Sequence, residues 1–236
     1  MGKSDEFASM KSIQKTCFIC GNHLLFRSTS KYEKCDSCKH EVLNSGQEQT
    51  FALNEDLNVK TSKKISFLER YKINTLKKII FHDRVNRCRL VDLGSSTGSF
   101  LAHNSNTFAE VKGVEVMEEA ANFARKEYNL NIVSNINELD GPYQYVTAWH
   151  VLEHMPIDSL NDTFAFLRDN LDCKGRILLS VPNAESFQYK VYKTKYAFYD
   201  PPNHLHQFSY SSIKLLLETN GFKLIKSFNS GPYNYF

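Results

Sequence analysis

The chain has no apolar run approaching the roughly 18 residues of a membrane span. Its first eleven residues, MGKSDEFASMK, lack the apolar stretch of a secretory signal. A strong charge of one sign is missing too: 29 Lys plus Arg against 26 Asp plus Glu leave +3. That excess is too small to argue by itself for nucleic acid or an anionic membrane. Internal repeats and low-complexity tracts are also missing. What remains is the composition of a soluble globular protein, 42% hydrophobic and 23% charged over 236 residues. That length suits one full domain plus a small module. A cytoplasmic location is expected.

Six cysteines in a chain without an export signal read as reduced thiols, so clustered ones are read first as metal ligands. Cys17-x-x-Cys20 and Cys35-x-x-Cys38 are two such pairs with 14 residues between them. Zinc takes four tetrahedral ligands, and two thiolates on each of two tight turns supply them. Gly21 and Lys39 follow where the chain must turn back. His23, Arg27 and Tyr32 suit a β-ribbon too poor in apolar residues to fold unaided. The competing readings are two disulfides or four unrelated buried cysteines, with His40 as a substitute ligand. Four cysteines leave zinc no open position, so this metal is structural. Cys88 and Cys173 stand alone in or beside core runs and read as inert buried thiols.

The expected organisation is a disordered leader or tag over 1–16, a zinc ribbon over 17–44, a polar linker over 45–62 and the main domain over 63–236. That domain opens with a helix near 63–82, with Ser62 as a candidate cap. Strands are expected at 89–93, 110–115, 131–133, 143–149, 176–181 and 222–228. Helices are expected at 99–104, 117–128, 159–170 and 211–220, the last stopped by Gly221. Such alternation implies an α/β fold with a doubly wound, mostly parallel sheet.

Leu90-Val-Asp-Leu-Gly-Ser-Ser-Thr-Gly-Ser-Phe100 is a buried strand, a glycine turn and a helix start. The glycines let backbone N–H groups approach a ligand. They fall at 94 and 98 only, which does not fit the dinucleotide fingerprint. Glu115 closes the next strand, where a carboxylate can accept hydrogen bonds from both ribose hydroxyls of an adenosine.

On these residues the chain resembles the class I S-adenosylmethionine-dependent methyltransferases, over about residues 85–228. Asp92, Gly94 and Gly98 match that family's Asp-x-Gly-x-Gly-x-Gly loop, with Ser96 at the middle glycine. Glu115 matches the ribose-binding acid, and Asn135 and Ile136 match the stretch flanking adenine. Trp149-His-Val-Leu-Glu-His154 resembles the fourth motif, which lines the methionine end of the cofactor. The resemblance therefore implies a cofactor site of Asp92, Gly94, Ser95, Gly98, Glu115, Val116, Asn135, Ile136, Trp149 and His150. Val181-Pro-Asn183 and Asp200-Pro-Pro-Asn-His-Leu-His-Gln-Phe-Ser209 resemble a branch rich in enzymes acting on sugars, quinones and other small metabolites. The family's seventh strand, an antiparallel one, is not evident in the few residues after Phe228.

An alcohol acceptor needs a positioned base, worth about 10²–10⁴-fold. The candidates are His204, His206, His154 and His150, plus Glu153 and Asp200, with His204 the leading choice and His206 next. His204 and His206 are two apart and point the same way if extended; with a carboxylate they form a minor alternative zinc site. A lid is expected near 184–208, where Tyr189, Tyr192, Tyr196, Phe198 and Tyr199 can stack on a ring and Lys190, Lys193 and Lys195 can hold phosphate. The competing reading is an amphipathic helix covering the sheet. Trp149 is either a face for the sulfonium or ordinary core.

The leading function is O-methylation of a small-molecule acceptor such as a sugar, a phosphorylated sugar or a surface-polysaccharide precursor. Alternatives are a ribosomal RNA methyltransferase, suggested by a ribbon beside the basic tract from Lys60 to Arg89, and a quinone or other small-metabolite methyltransferase. A non-catalytic scaffold is disfavoured by the intact Gly94, Gly98 and Glu115.

Overall fold

The computed structural model describes residues 16–25, 31–44, 66–80, 83–196 and 198–227. The expected linker over 45–62, the leader up to residue 15, Arg27, the outer ends of the first helix and Phe228 lie outside them.

Five strands form a wholly parallel sheet. In chain order they are β4 (Arg89–Leu93), β5 (Glu110–Val114), β6 (Asn131–Val133), β7 (Tyr143–Trp149) and β8 (Leu171–Ser180). Their spatial order is β6-β5-β4-β7-β8. Chain direction across the sheet therefore reverses at β4, with β5 on one side and β7 on the other. Ligands of open α/β sheets bind beyond the strand C-termini at such a point.

Both faces are covered, which explains the continuous apolar runs. On one face α1 (Phe67–Ile80), α2 (Ser99–Asn104) and α3 (Glu118–Tyr128) bring Leu76, Leu101 and Ala121 against Leu90 and Trp149. On the other, α4 (Ile157–Asn170) and α6 (Tyr210–Thr219) bring Leu160, Phe164 and Ile213 against Val91, Leu93 and Val146. Helix α1 starts later than expected: Ser66 and Glu69 form its capping box, each side chain accepting the other's backbone N–H.

Two expectations need correction. Residues 222–227 form no strand. Gly221 ends α6 in a left-handed turn, and Phe222 and Leu224 pack on the core with no ladder to join. In addition, Cys173 is exposed and Cys88 only half-buried. Strand β8 begins five residues before the expected 176, and a register shift opposite Tyr143–Tyr145 throws Asp172–Gly175 outward.

The N-terminal ribbon is β1 (Leu24–Leu25), β2 (Tyr32–Cys35) and β3 (Glu41–Leu43), all antiparallel. Its sheet is completed from far along the chain. β9 (His206–Gln207) pairs with β3, placing Val42 opposite His206 and Glu41 opposite Gln207. Cys17, Ile19, Cys35 and Cys38 are continuous with the core that holds Phe208 and Ile213. The short helix α5 (Phe187–Tyr192), capped by Ser186, lies in the expected lid segment.

Candidate active site

The glycine turn after β4 sits at the sheet's reversal point. Gly94 has φ +68°, and a Cβ there would lie 2.5 Å from Val151 Cγ2, so both conformation and space demand glycine. Ser96 also takes a left-handed φ, of 49°, at the family's middle glycine. Its N–H donates to Glu115 Oε2 at 2.7 Å, while the Met117 N–H donates to Oε1 at 2.8 Å. The carboxylate is thus held inward over the turn, 7% exposed. Each oxygen keeps a further lone pair for a hydroxyl donor.

Asp92 is buried and accepts the Thr147 hydroxyl at 2.5 Å. Burial pushes its carboxyl up to about 7, with Lys72 acting in the opposite sense. Lys72, on α1, has its own pKa lowered by burial, with Asp92 opposing. Sequence reading missed this residue as a site candidate, because it was one of many lysines and arginines in a basic tract. The hydroxyls of Ser95 and Ser99 are buried without partners. Buried polar atoms normally have partners, so the turn and the helix start after it carry unmet hydrogen-bonding capacity, with Ser95 Oγ lying against Gly113 of β5. With the inward Glu115, they fit S-adenosylmethionine.

The remaining expected cofactor residues vary in placement. Trp149 packs edge-on against Phe100 in the core at 5.7 Å between ring centroids. Val116 is largely exposed, and Ile136 packs partly on the core. Asn135 is exposed and caps the turn at 136–138 by accepting the Asn137 N–H at 2.9 Å. His150 holds a left-handed φ of 59° beyond β7 and its ring lies parallel to that of Phe198.

The three candidate bases separate. His206 donates from Nε2 to the Met155 carbonyl at 2.9 Å, so Nδ1 accepts from His40 Nε2 at 3.2 Å. It is 2% exposed, and burial pushes its pKa down to about 3. Both ring nitrogens are therefore occupied by protein. His204 donates from Nδ1 to the Phe198 carbonyl at 2.9 Å, and His154 from Nδ1 to the Asn203 carbonyl at 2.9 Å. Each keeps Nε2 as its free lone pair, and the two rings meet edge to face with centroids 4.6 Å apart. His204 and His206 do not share a direction of use, because strand alternation starts only at 206. The His204 N–H turns back to the Asp200 carbonyl at 2.8 Å.

The lid aromatics serve mainly the ribbon. The Tyr189 hydroxyl donates to Glu41 Oε2 at 2.5 Å, and Tyr199 meets Tyr32 edge-on at 5.2 Å. Tyr32 in turn donates to the His204 carbonyl at 2.8 Å, and the Ser209 and Ser211 hydroxyls donate to the Cys38 carbonyl. Tyr192, Lys190, Lys193 and Lys195 remain exposed.

In the ribbon, Cys17 and Cys38 sulfurs are 3.6 Å apart and those of Cys20 and Cys35 3.4 Å, with all four within 4.8 Å of one another. A tetrahedron of metal–sulfur bonds of about 2.3 Å has edges of about 3.8 Å, so the cluster fits one zinc. All four are free thiols, which removes the disulfide reading. His40 stands behind Cys17, its Nδ1 3.9 Å from that sulfur.

Residues 53–227 match a family model described as a methyltransferase domain. No curated protein matches the chain. Among solved structures, magnesium protoporphyrin IX methyltransferase from Synechocystis PCC 6803, with bound SAH, is similar at 19% identity and TM-score 0.57, covering 73% of this chain and 85% of that one. A protein from Pyrococcus horikoshii OT3 gives 19% and 0.57, covering 75% and 91%. The cyclopropane synthase MmaA2 from Mycobacterium tuberculosis gives 14% and 0.54, covering 70% and 65%. At these identities the likeness is one of fold.

Proposed function

We propose that this chain, which belongs to the methyltransferase-domain family and is an S-adenosylmethionine-dependent methyltransferase, methylates an oxygen of a small molecule such as a sugar or phosphorylated sugar. The observation that carries this reading is the pair His154 and His204, each with a free ring nitrogen. His154 follows the end of β7, and His204 lies in the segment tied to the ribbon by Tyr32 and by the pairing of β3 with β9. Within the basic tract from Lys60 to Arg89, Arg89 is already paired with Glu110 and Asp140.

When bound, S-adenosylmethionine supplies a methyl group already activated for in-line displacement. The chain's tasks are to hold and to align. Glu115 would accept hydrogen bonds from the ribose hydroxyls, and the bent backbone at 94–98 would hold the nucleoside. Lys72 offers a cation to the methionine carboxylate. The His154–His204 pair takes up the proton of the acceptor hydroxyl; alignment can contribute up to about 7–11 kcal/mol, the base about 3–5. Lys190, Lys193 and Lys195 are available for an acceptor's phosphate. The ribbon holds one structural zinc through Cys17, Cys20, Cys35 and Cys38.

The test offers labelled S-adenosylmethionine with a panel of sugars, sugar phosphates, quinols and ribosomal RNA. Label on a hydroxylated small molecule, lost in His204→Ala, is the expected result. Label on RNA alone refutes the small-acceptor reading.

A further inference from the structure

Glu153 follows β7 in the turn Leu152–His154 and is fully buried. One carboxylate oxygen, Oε1, accepts from His150 Nδ1 at 3.1 Å; the other, Oε2, has no hydrogen-bond partner. A buried carboxylate oxygen without a donor is costly and uncommon. His154 and His204 stand near it, and one ligand atom from each of the three residues lies within 4.8 Å of the others. In both rings Nδ1–H is committed to a backbone carbonyl, which fixes the tautomer and leaves Nε2 as the lone pair available to a ligand. That outer arrangement is the one metal-ligating histidines use. Two imidazoles and a carboxylate suit a first-row divalent ion and leave coordination positions open.

We propose that Glu153, His154 and His204 bind one divalent transition-metal ion, through Glu153 Oε2 and the two Nε2 atoms, separate from the four-cysteine ribbon. His206 is not a ligand, because Met155 and His40 occupy both its nitrogens. His150 acts from outside, orienting the carboxylate. With the ion bound, both Nε2 atoms are ligands and no longer bases; an open position on the ion takes the acceptor oxygen instead and makes its proton easier to lose to solvent. That consequence rests on the proposed acceptor site; the binding itself does not.

The full chain, with its ribbon metal in place, is titrated with Co²⁺ and followed by calorimetry and visible absorption. The expected result is one further equivalent whose spectrum lacks sulfur-to-cobalt charge transfer. Glu153→Gln and His204→Ala each weaken that equivalent by more than the roughly 10–100-fold that losing an outer partner costs, while the ribbon equivalent stays. His154→Ala, at a partly exposed residue, decides the matter should a buried variant fail to fold, as judged by circular dichroism. No cobalt binding beyond the ribbon metal in the parent protein, or a further equivalent unchanged in the variants or bearing a thiolate band, overturns the proposal. Methyl transfer is not the readout, so failure of the acceptor reading leaves this result standing, and the reverse.

Discussion

The ribbon and the parallel sheet solve the problem of cohesion in opposite ways. The sheet is held by side chains that sequence periodicity announces: Leu90, Val91, Val146 and Leu160 are each at most 1% exposed between helices on both faces. The ribbon buries only a few apolar side chains of its own, chiefly Ile19, Tyr32 and Leu43, beside its cysteines. Its strands run two to four residues, too little for independent stability. It therefore depends on the proposed ribbon metal and on the surface it docks against. That surface is β9 and the lid, so the region with the weakest core positions the segment carrying His204.

Four outcomes break or sharpen this contrast. The largest is Cys35→Ser. Loss of the ribbon metal forfeits folding free energy on the order of 10 kcal/mol. Hydrogen exchange at 32–43 and 205–207 is expected to rise together, with acceptor turnover down about 100-fold from misplaced groups. Affinity for S-adenosylhomocysteine changes by no more than about twofold, since that crevice lies on the sheet. Equal loss of both functions shows the two regions to be one cooperative unit.

Leu160→Ala is the complementary cut. It empties a fully buried position facing the sheet and costs about 2–5 kcal/mol, read as a fall in melting temperature with ribbon metal content unchanged.

The pH dependence of the sheet is next in size. The folded pKa of Asp92, about 7, stands above the roughly 3.9 of an unfolded aspartate. Between those values the native state holds a proton that the unfolded state has lost. This site's contribution is complete below about pH 4 and declines as pH rises through 7. Asp92→Asn keeps an oxygen for Thr147 and removes that decline, worth at most about 4 kcal/mol across the window by denaturant unfolding. The smallest effect is Tyr189→Phe, which takes one donor from Glu41. It costs about 1–3 kcal/mol, seen as faster exchange in β3 while the sheet is unaffected.

The parallel sheet was legible because each of its strands is a short β-branched or aromatic run with a turn signal after it, and Glu115 and the 94–98 turn stood where the motif spacing put them. The four cysteines were legible for the same local reason. Long-range pairing was not. Nothing in His206-Gln207 announces a partner at Glu41–Val42, and so the split between His204 and His206 was hidden. Both were read as candidate bases from alternation, but the turn at Asp200–His204 takes His204 out of the strand. Phe222–Phe228 has strand composition, yet residues 222–227 take no ladder. Lys72 was hidden by its basic neighbours, since only the fold sets it beside Asp92.

The most direct measurement is calorimetric titration of S-adenosylhomocysteine into the intact chain and into Glu115→Ala. The expected result is saturable binding by the parent, weakened about 100-fold in the variant as two hydrogen bonds to a charged group are lost. No binding by the parent, or equal affinity in the two proteins, contradicts a nucleoside gripped by Glu115 and the turn at 94–98.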